Sequence, residues 1–258
     1  MNRYIGPSLR AVQGAQARWY TQRHVNKVCR FSCTPSRAIL SGNLQLGMYP
    51  AGWRDSVTII LRKPGKADYT APNAHRPVTL LNTIAKVLSA CVAEDLIHAA
   101  ETHSLLPNNH FGSRPGHTTM DSLHYVTKFM KDAWRRQEVV SALFLDIKSA
   151  FPSIVLEWLV HDMRIRGVPS QYTNWISRKV NGCRTMLKFD GYESEPLMLS
   201  KGFDQGCPLS GIAFQFYNSD LVDIRDSTSG EDAIAFMDDT LLLARGKTLA
   251  ECTIRSST

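Results

Sequence analysis

The stretch that decides the fold is Ala233-Ile234-Ala235-Phe236-Met237-Asp238-Asp239-Thr240-Leu241-Leu242-Leu243-Ala244. Two apolar runs flank a pair of adjacent carboxylates, which predicts a β-hairpin with the acid pair at its turn. Adjacent side chains on a strand point to opposite faces, but in a tight turn both can approach one site. Because an isolated Asp-Asp pair is usually a solvated turn, the interpretation depends on other acids.

A third acid, Asp146, ends the other strongly apolar run, residues 139–147. Such a run is typical of a buried central strand. If this strand lies beside the hairpin, Asp146, Asp238 and Asp239 converge, and a cluster of oxygen ligands suits Mg²⁺. Two such ions about 4 Å apart promote in-line phosphoryl transfer. The residue types alone leave nuclease, polymerase and phosphatase open.

The remaining segments indicate a mixed α+β chain without internal repeats. Short β-branched runs predict strands, and apolar residues at helical spacing predict helices. The predicted strands are 56–61 and 76–81, the helices are 82–103, 118–136, 156–166, 171–180 and 209–221, and a second hairpin joins 185–189 to 197–203 through Asp190-Gly191.

Charge and composition restrict the function classes. The net charge of +7 is local, because residues 1–54 contain eight Lys or Arg and no acid, so we expect a basic leader at residues 1–43. Nucleic-acid binding by the rest must therefore depend on particular residues. No apolar run approaches the roughly 18 residues of a membrane span. The acid-poor, Arg-containing start also fits a mitochondrial transit peptide, but no clean amphipathic helix follows it. The six scattered cysteines favour free thiols.

The chemistry-bearing segments resemble motifs of one family, the reverse transcriptases of non-LTR (LINE-type) retrotransposons. The six motifs, in the family's order, are RKPGK (62–66), NAHRPVTLLN (73–82), FGSRPG (111–116), FLDIKSAF (144–151), QGCPLS (205–210) and FMDD (236–239). The first three resemble the fingers motifs of LINE-type elements in particular. Ala150-Phe151-Pro152 and Phe216-Tyr217-Asn218 resemble fungal members.

The resemblance implies the fingers and palm of a right-hand polymerase, with an antiparallel palm sheet and packed helices. It covers residues 44–258, with fingers at about 44–138 and palm at about 139–258. Relatives continue into a helical thumb, so we expect this chain to be a C-terminally truncated fingers and palm fragment.

The resemblance also implies a role for each site residue. Asp146 and Asp238 would ligate two Mg²⁺ ions, for which Mn²⁺ is a possible substitute. Asp239 would support them, and the Ile147 carbonyl would be a further ligand. Phe151 would lie under the incoming sugar and exclude a 2′-hydroxyl.

Four further residues would bind the nucleotide. Lys63 and Arg76 would grip the triphosphate as cations. Gln205 and Gly206 would face the nucleotide and template, since glycine allows close approach.

Three positions differ from or vary within the family pattern. Cys207 occupies a variable position and is interpreted as a small packing residue. Gly211 stands where Pro is common and His75 where Tyr is common. These departures bear on the level of activity more than on the reaction type.

The expected function is RNA-directed DNA polymerase activity: nucleotidyl transfer from a dNTP to a DNA primer 3′-hydroxyl on an RNA template. One alternative is a catalytically inactive relic. Another is a two-metal nuclease, which would leave Phe151, Gln205 and the fingers cations unexplained. A zinc site at Cys29 and Cys33 is rejected because no second ligand pair matches it. The family implies nuclear residence and no membrane, and protein partners are undetermined.

Overall fold

A computed structural model describes residues 42–199, 202–223 and 230–252. Most of the predicted basic leader, including Cys29 and Cys33, lies outside these residues. Contacts divide the chain into two units, residues 1–98 with 151–210 and residues 99–150 with 211–258. This division interleaves the chain, and the expected boundary between fingers and palm near residue 139 stays a prediction.

The chain is mixed α+β, as the sequence predicts. Its elements in order are β1 (Asp55–Arg62), β2 (His75–Leu80), α1 (Thr83–His103), α2 (Thr119–Arg135), β3 (Val139–Asp146), α3 (Ala150–Ser153), α4 (Leu156–Ile165), α5 (Ser170–Val180), β4 (Arg184–Phe189), β5 (Tyr192–Glu193), β6 (Leu197–Met198), α6 (Leu209–Asp223), β7 (Glu231–Phe236) and β8 (Asp239–Gly246).

The first unit contains a mixed sheet in the order β2-β1-β4-β5, with β6 also paired to β4. Strand β1 runs antiparallel to β2 and parallel to β4. Buried hydroxyl groups join these three strands, because Thr58 Oγ1 lies 3.2 Å from Thr79 Oγ1 and 2.8 Å from Thr185 Oγ1. Each buried hydroxyl therefore has a hydrogen-bond partner, which removes the cost of burying it.

Local sequence signals set several element ends. Asn82 Oδ1 accepts a hydrogen bond from Ile84 N at 3.0 Å and starts α1. Thr118 and Asp121 form a reciprocal capping box at the start of α2. Asp190 and Gly191, both at positive φ, form the predicted tight turn between β4 and β5.

One predicted strand is only partly present. The sequence predicts a continuous strand over 197–203 paired with 185–189, but the turn leads into the two-residue β5, and of the described residues in 197–203 only Leu197–Met198, β6, pair with β4. Pro196 separates them and has no N–H to donate to a strand ladder. Residues 200 and 201 lie outside the described part of the chain.

The second unit contains an antiparallel sheet in the order β3-β8-β7, as predicted for the palm. The buried central position predicted for residues 139–147 is wrong, because β3 is the first strand of this sheet order and Leu143 and Phe144 are exposed. Ile234 and Leu243 belong to a buried cluster with Phe111, against which Tyr125 and Phe129 of α2 pack. On the opposite face, Val222 of α6 clusters with Ala233, Ala235 and Leu242. Strands β7 and β8 therefore have apolar contacts on both faces, which explains their nearly continuous apolar sequence.

The described ranges also bear on membrane spans and on the state of the cysteines. None of their helices has both the length and the apolar character that crossing a membrane requires. Their four cysteines, Cys91, Cys183, Cys207 and Cys252, are free thiols, as predicted.

The close approach of Gly202 to the backbone of Pro152 gives a stability prediction. Gly202 and Gly191 have similar positive φ angles, 87° and 83°. A methyl group on Gly202 would lie 2.6 Å from the Pro152 carbonyl carbon, whereas one on Gly191 meets nothing within 4 Å. We expect Gly191→Ala to cost about 1 kcal/mol of unfolding free energy. Gly202→Ala should cost about 1–3 kcal/mol more.

Urea denaturation of both variants measures this difference. Equal losses would show that backbone conformation alone, and not the contact with Pro152, requires glycine at position 202.

Candidate active site

The pairing of β3 with β8 brings two of the three candidate carboxylates together. Asp146, the last residue of β3, is the register partner of Asp239, the first residue of β8. Directly paired residues in an antiparallel ladder place their side chains on the same face. Asp238 precedes Asp239 in the turn, and all three residues are exposed. The predicted convergence of the two apolar strands is confirmed.

The chemistry of these donors fits Mg²⁺. All three side chains offer carboxylate oxygens, and no ion pair between them and a described Lys, Arg or His is present. The described residues nevertheless contain no group of three or more metal-ligating side chains close enough to enclose an ion. Mg²⁺ in sites for phosphoryl transfer takes part of its ligand set from water and substrate phosphates, so an open carboxylate edge suits it better than a cage.

The ends of β7 and β8 are held by buried polar contacts. Thr240, next to Asp239 and 2% exposed, accepts a hydrogen bond from Asn218 Nδ2 of α6 at 3.3 Å. Asp232 of β7 accepts hydrogen bonds from Asn109 Nδ2 at 2.8 Å and from the Tyr125 hydroxyl at 2.6 Å. These contacts hold the β7–β8 hairpin, whose turn carries Asp238 and whose second strand begins at Asp239.

The FGSRPG segment contains a buried arginine with a structural role. Arg114 donates to both carboxylate oxygens of Glu101, at 2.7 and 3.0 Å, and to the Pro107 and His110 carbonyls. The hydrogen bond from Arg114 lowers the pKa of Glu101 below its ordinary value. The segment is therefore a fixed loop.

The two candidate triphosphate cations lie in or directly after neighbouring strands of the first unit. Lys63 directly follows β1, and its backbone N–H donates to the Ala74 carbonyl at 2.9 Å. Arg76 lies in β2, is exposed and pairs in register with Leu61. Neither side chain forms an ion pair with an acid within the described residues, whereas neighbouring Arg62 is paired with Asp190 at 2.5 Å. Within the described residues, no neighbouring acid offsets the positive charge of Lys63 or Arg76.

Phe151, the candidate steric gate, is half-buried in the short helix α3. Its carbonyl accepts a hydrogen bond from Phe203 N at 2.9 Å, and the Gly202 N–H donates to Ile154 O at 3.0 Å. These two bonds join the segment after Phe151 to the segment that leads to Gln205. Phe151 and Gln205 therefore belong to segments of the first unit that are joined by hydrogen bonds.

Gln205 and Gly206 lie against β2. The Gln205 carbonyl accepts a hydrogen bond from Thr79 N at 3.0 Å. Gly206 has a φ of 114°, and a methyl group there would lie 3.2 Å from Thr79 O. A residue with a side chain would be strained here, so glycine is required by the backbone.

A buried ion pair supports the same loop and was not foreseen from the sequence. Lys179 Nζ lies 3.9 Å from Asp204 Oδ2, with side-chain exposures of 3% and 12%. Lys179 also lies over the Tyr49 ring, 5.5 Å from its centroid. Burial raises the pKa of Asp204, and Lys179 opposes this effect. The helical spacing of Lys179 after Tyr172 and Ile176 was a usable signal, since it places the lysine on the apolar face of α5.

A comparison of the sequence with protein families identifies the family of this chain. The sequence profile of the family described as "Reverse transcriptase (RNA-dependent DNA polymerase)" matches residues 61–256. The chain belongs to the reverse transcriptase family. This reverse transcriptase chain carries its candidate carboxylates and nucleotide-binding residues within the matched range.

Its relatives come from non-LTR retrotransposons. The chain is 26% identical over 205 residues to "Probable RNA-directed DNA polymerase from transposon BS" of Drosophila melanogaster, covering 76% of the chain and 22% of the relative. It is 26% identical over 219 residues to "RNA-directed DNA polymerase from mobile element jockey" of the same organism, covering 83% and 24%. This reverse transcriptase chain therefore spans less than a quarter of the length of these two curated relatives.

Solved structures show the same fold. The chain is similar to apo telomerase from Candida tropicalis truncated from its C-terminal domain, with a TM-score of 0.54 and 11% identity over 83% of this chain and 50% of that one. It is also similar to telomerase from Candida albicans in complex with a fragment of telomeric RNA, with a TM-score of 0.50 and 11% identity over 76% of this chain and 39% of that one. These likenesses confirm the fingers and palm fold class of the reverse transcriptase chain.

The Glu101–Arg114 pair gives a pH prediction. Because the pKa of Glu101 is lowered in the folded state, its contribution to stability is present above the ordinary value of 4.5 and is lost as pH falls through the lowered value. We expect Glu101→Gln to reduce the unfolding free energy near pH 7, and the deficit relative to wild type should shrink below pH 4.5. Urea unfolding across this pH range measures it.

Glu94→Gln, an exposed substitution on the same helix, is the control and should show a much smaller deficit. A Glu101→Gln deficit that stays constant as pH falls would contradict the prediction.

Proposed function

We propose that this chain catalyses RNA-templated DNA synthesis as part of a non-LTR retrotransposon polymerase. The observation that carries the proposal is the register pairing of Asp146 with Asp239, with Asp238 in the adjoining turn, in a chain of the reverse transcriptase family. The reaction joins a primer 3′-hydroxyl to the α-phosphate of a dNTP and releases pyrophosphate. The partners are an RNA template, a DNA primer and dNTPs.

In this proposal, Asp146 and Asp238 hold two Mg²⁺ ions, with Asp239 as the supporting carboxylate and the Ile147 carbonyl as a further ligand. Bound Mg²⁺ would neutralise phosphate charge and make a hydroxyl more acidic. The three carboxylates would offset most of the positive charge of the two ions, and substrate phosphates would supply further negative charge. Their exposure leaves room for the water and phosphate ligands that Mg²⁺ keeps.

The nucleotide-binding roles follow from charge and backbone contacts. Lys63 and Arg76 carry charge with no acid paired to them in the described residues, so they are suited to bind a triphosphate. Phe151 would exclude a 2′-hydroxyl by its rigid ring. Gln205 and Gly206, held against β2, would contact the base pair that forms. A nuclease needs none of these five residues, which favours a polymerase.

Two finer inferences rest on resemblance alone. The motifs around Phe151 and Phe216 favour a fungal origin, and the family favours action in the nucleus.

Primer extension tests the proposal directly. We expect the purified chain to extend a DNA primer on an RNA template in the presence of Mg²⁺. Asp238→Asn keeps the size of the side chain but removes its charge, and it should reduce the rate at least about 100-fold, as loss of transition-state charge stabilisation commonly does. Lys128→Gln, an exposed substitution on α2, should leave the rate unchanged.

No extension by the wild-type chain above the Asp238→Asn background would reject catalytic activity and favour the inactive-relic alternative. Cleavage of the template without extension would favour the nuclease.

Phe151→Ala tests the steric gate. Removing the ring should leave dNTP incorporation close to wild type while preference for dNTPs over rNTPs falls about 10- to 100-fold, the size of effect that a lost steric contact gives. Single-nucleotide kcat/KM values for matched dNTP and rNTP pairs measure this ratio. An unchanged ratio would remove Phe151 from the proposed role.

A further inference from the structure

The turn that carries Asp238 has an unfavourable backbone conformation. Met237, its first residue, has a φ of 57°. Residues with a side chain other than Asn and Asp seldom adopt this left-handed region, and doing so costs roughly 1–2 kcal/mol. Such conformations persist where surrounding contacts hold them. The contacts around Met237 therefore bear on the position of Asp238.

The Gly112–Ser113 segment packs directly against Met237. A methyl group on Gly112 would overlap the backbone nitrogen of Met237 and would lie 2.7 Å from Met237 Cγ. The Ser113 hydroxyl oxygen lies 2.9 Å from Met237 Sδ. Glycine at position 112 is therefore required by close approach.

The same segment is fixed on its other side. Phe111 N donates to Ala235 O at 2.8 Å, and Ala235 N donates to Asn109 O at 3.0 Å, so residues 109–111 form an added edge beside β7. Arg114 anchors the following residue through Glu101 and two carbonyls. The segment therefore has little freedom to move away from Met237.

A fully buried side chain of α6 completes the arrangement. Gln215 is 0% exposed and donates its Nε2 to the Gly112 carbonyl. Its Oε1 is buried without a hydrogen-bond partner among the described residues, which costs about 1–3 kcal/mol. The Nε2 bond connects Gln215 directly to the segment that packs against Met237.

Gly211 of the same helix provides the necessary space. A methyl group there would lie 2.9 Å from Ser113 Oγ and 3.7 Å from Met237 Cε. The glycine that departs from the family pattern is therefore matched to the serine and methionine that it faces.

We propose that Gln215, Gly112 and Ser113 are positioning residues that hold Met237 in its left-handed turn and so fix Asp238 for divalent-cation binding. This rests on the proposed function, because it assumes that Asp238 is a metal ligand. The named residues do not touch the ion. They act through the backbone of the turn, as outer contacts orient metal ligands elsewhere.

The test is calorimetric binding of Mg²⁺ alone, and separately of Ca²⁺ alone, to the full chain. Gln215→Met keeps the side-chain volume and removes the bond to Gly112. We expect Mg²⁺ affinity to fall about 10-fold, the usual effect of losing an outer contact. Ca²⁺ affinity should fall less, because Ca²⁺ accepts flexible oxygen arrangements and Mg²⁺ requires a near-ideal octahedron. General destabilisation would not produce this difference between the ions.

Two further variants keep the test decisive. Ser113 is exposed, so Ser113→Ala should fold normally. It should weaken Mg²⁺ binding by a smaller factor than Gln215→Met does. Ser219→Ala removes a buried hydroxyl that is bonded within α6 to the Gln215 and Phe216 carbonyls, and it should leave both affinities unchanged.

Asp238→Asn separates the two levels of inference. If Asp238→Asn weakens Mg²⁺ binding while Gln215→Met and Ser113→Ala bind as wild type, the positioning role is overturned and the metal site stands. If Asp238→Asn also binds as wild type, the metal-binding role of Asp238 in the proposed function fails, and the positioning role fails with it.

Discussion

The register between β3 and β8 is the constraint on which the candidate site depends. It pairs Asp146 with Asp239 at the end of the sheet and places Asp238 in the turn beside them. Carboxylates directly opposite each other repel, so this pairing is unfavourable unless cations are bound. The apolar ladder behind it offsets that repulsion, since β7 and β8 contact apolar side chains on both faces. The sheet tolerates the charged residues because β7 and β8 are packed on both faces.

A one-residue slip of β3 would dismantle this arrangement. Side chains alternate between faces, so a slip would move Asp146 to the face opposite Asp239. Val140 of β3, which packs against the buried cluster of Phe111, Ile234 and Leu243, would be turned away from that cluster at the same time. The packing of the sheet and the alignment of Asp146 with Asp239 therefore depend on the same register. A change that disturbs this register would affect both the stability of the sheet and the candidate metal site.

The candidate nucleotide residues depend on a different kind of contact. Backbone hydrogen bonds connect Phe151 to Phe203 and Gln205 to Thr79. The buried pair of Lys179 and Asp204 supports the residue next to Gln205. Breaking such a pair leaves a buried charge uncompensated, which is costly, so the loop is held firmly even though the pair itself adds little net stability.

The sequence by itself determined the element types, the capped helix ends, the Asp190-Gly191 turn and the family, because periodicity, capping residues and ordered motifs are local properties of the chain. It also singled out Asp146 and Asp238, since charged residues at the ends of apolar strands are conspicuous. The strand predicted over 197–203 was too long because local β propensity does not determine where strand pairing ends. Only the tertiary structure decided that Asp146 faces Asp239 and that Gln215 supports the Asp238 turn, because register, burial and the partner of a polar side chain are set by residues distant in sequence.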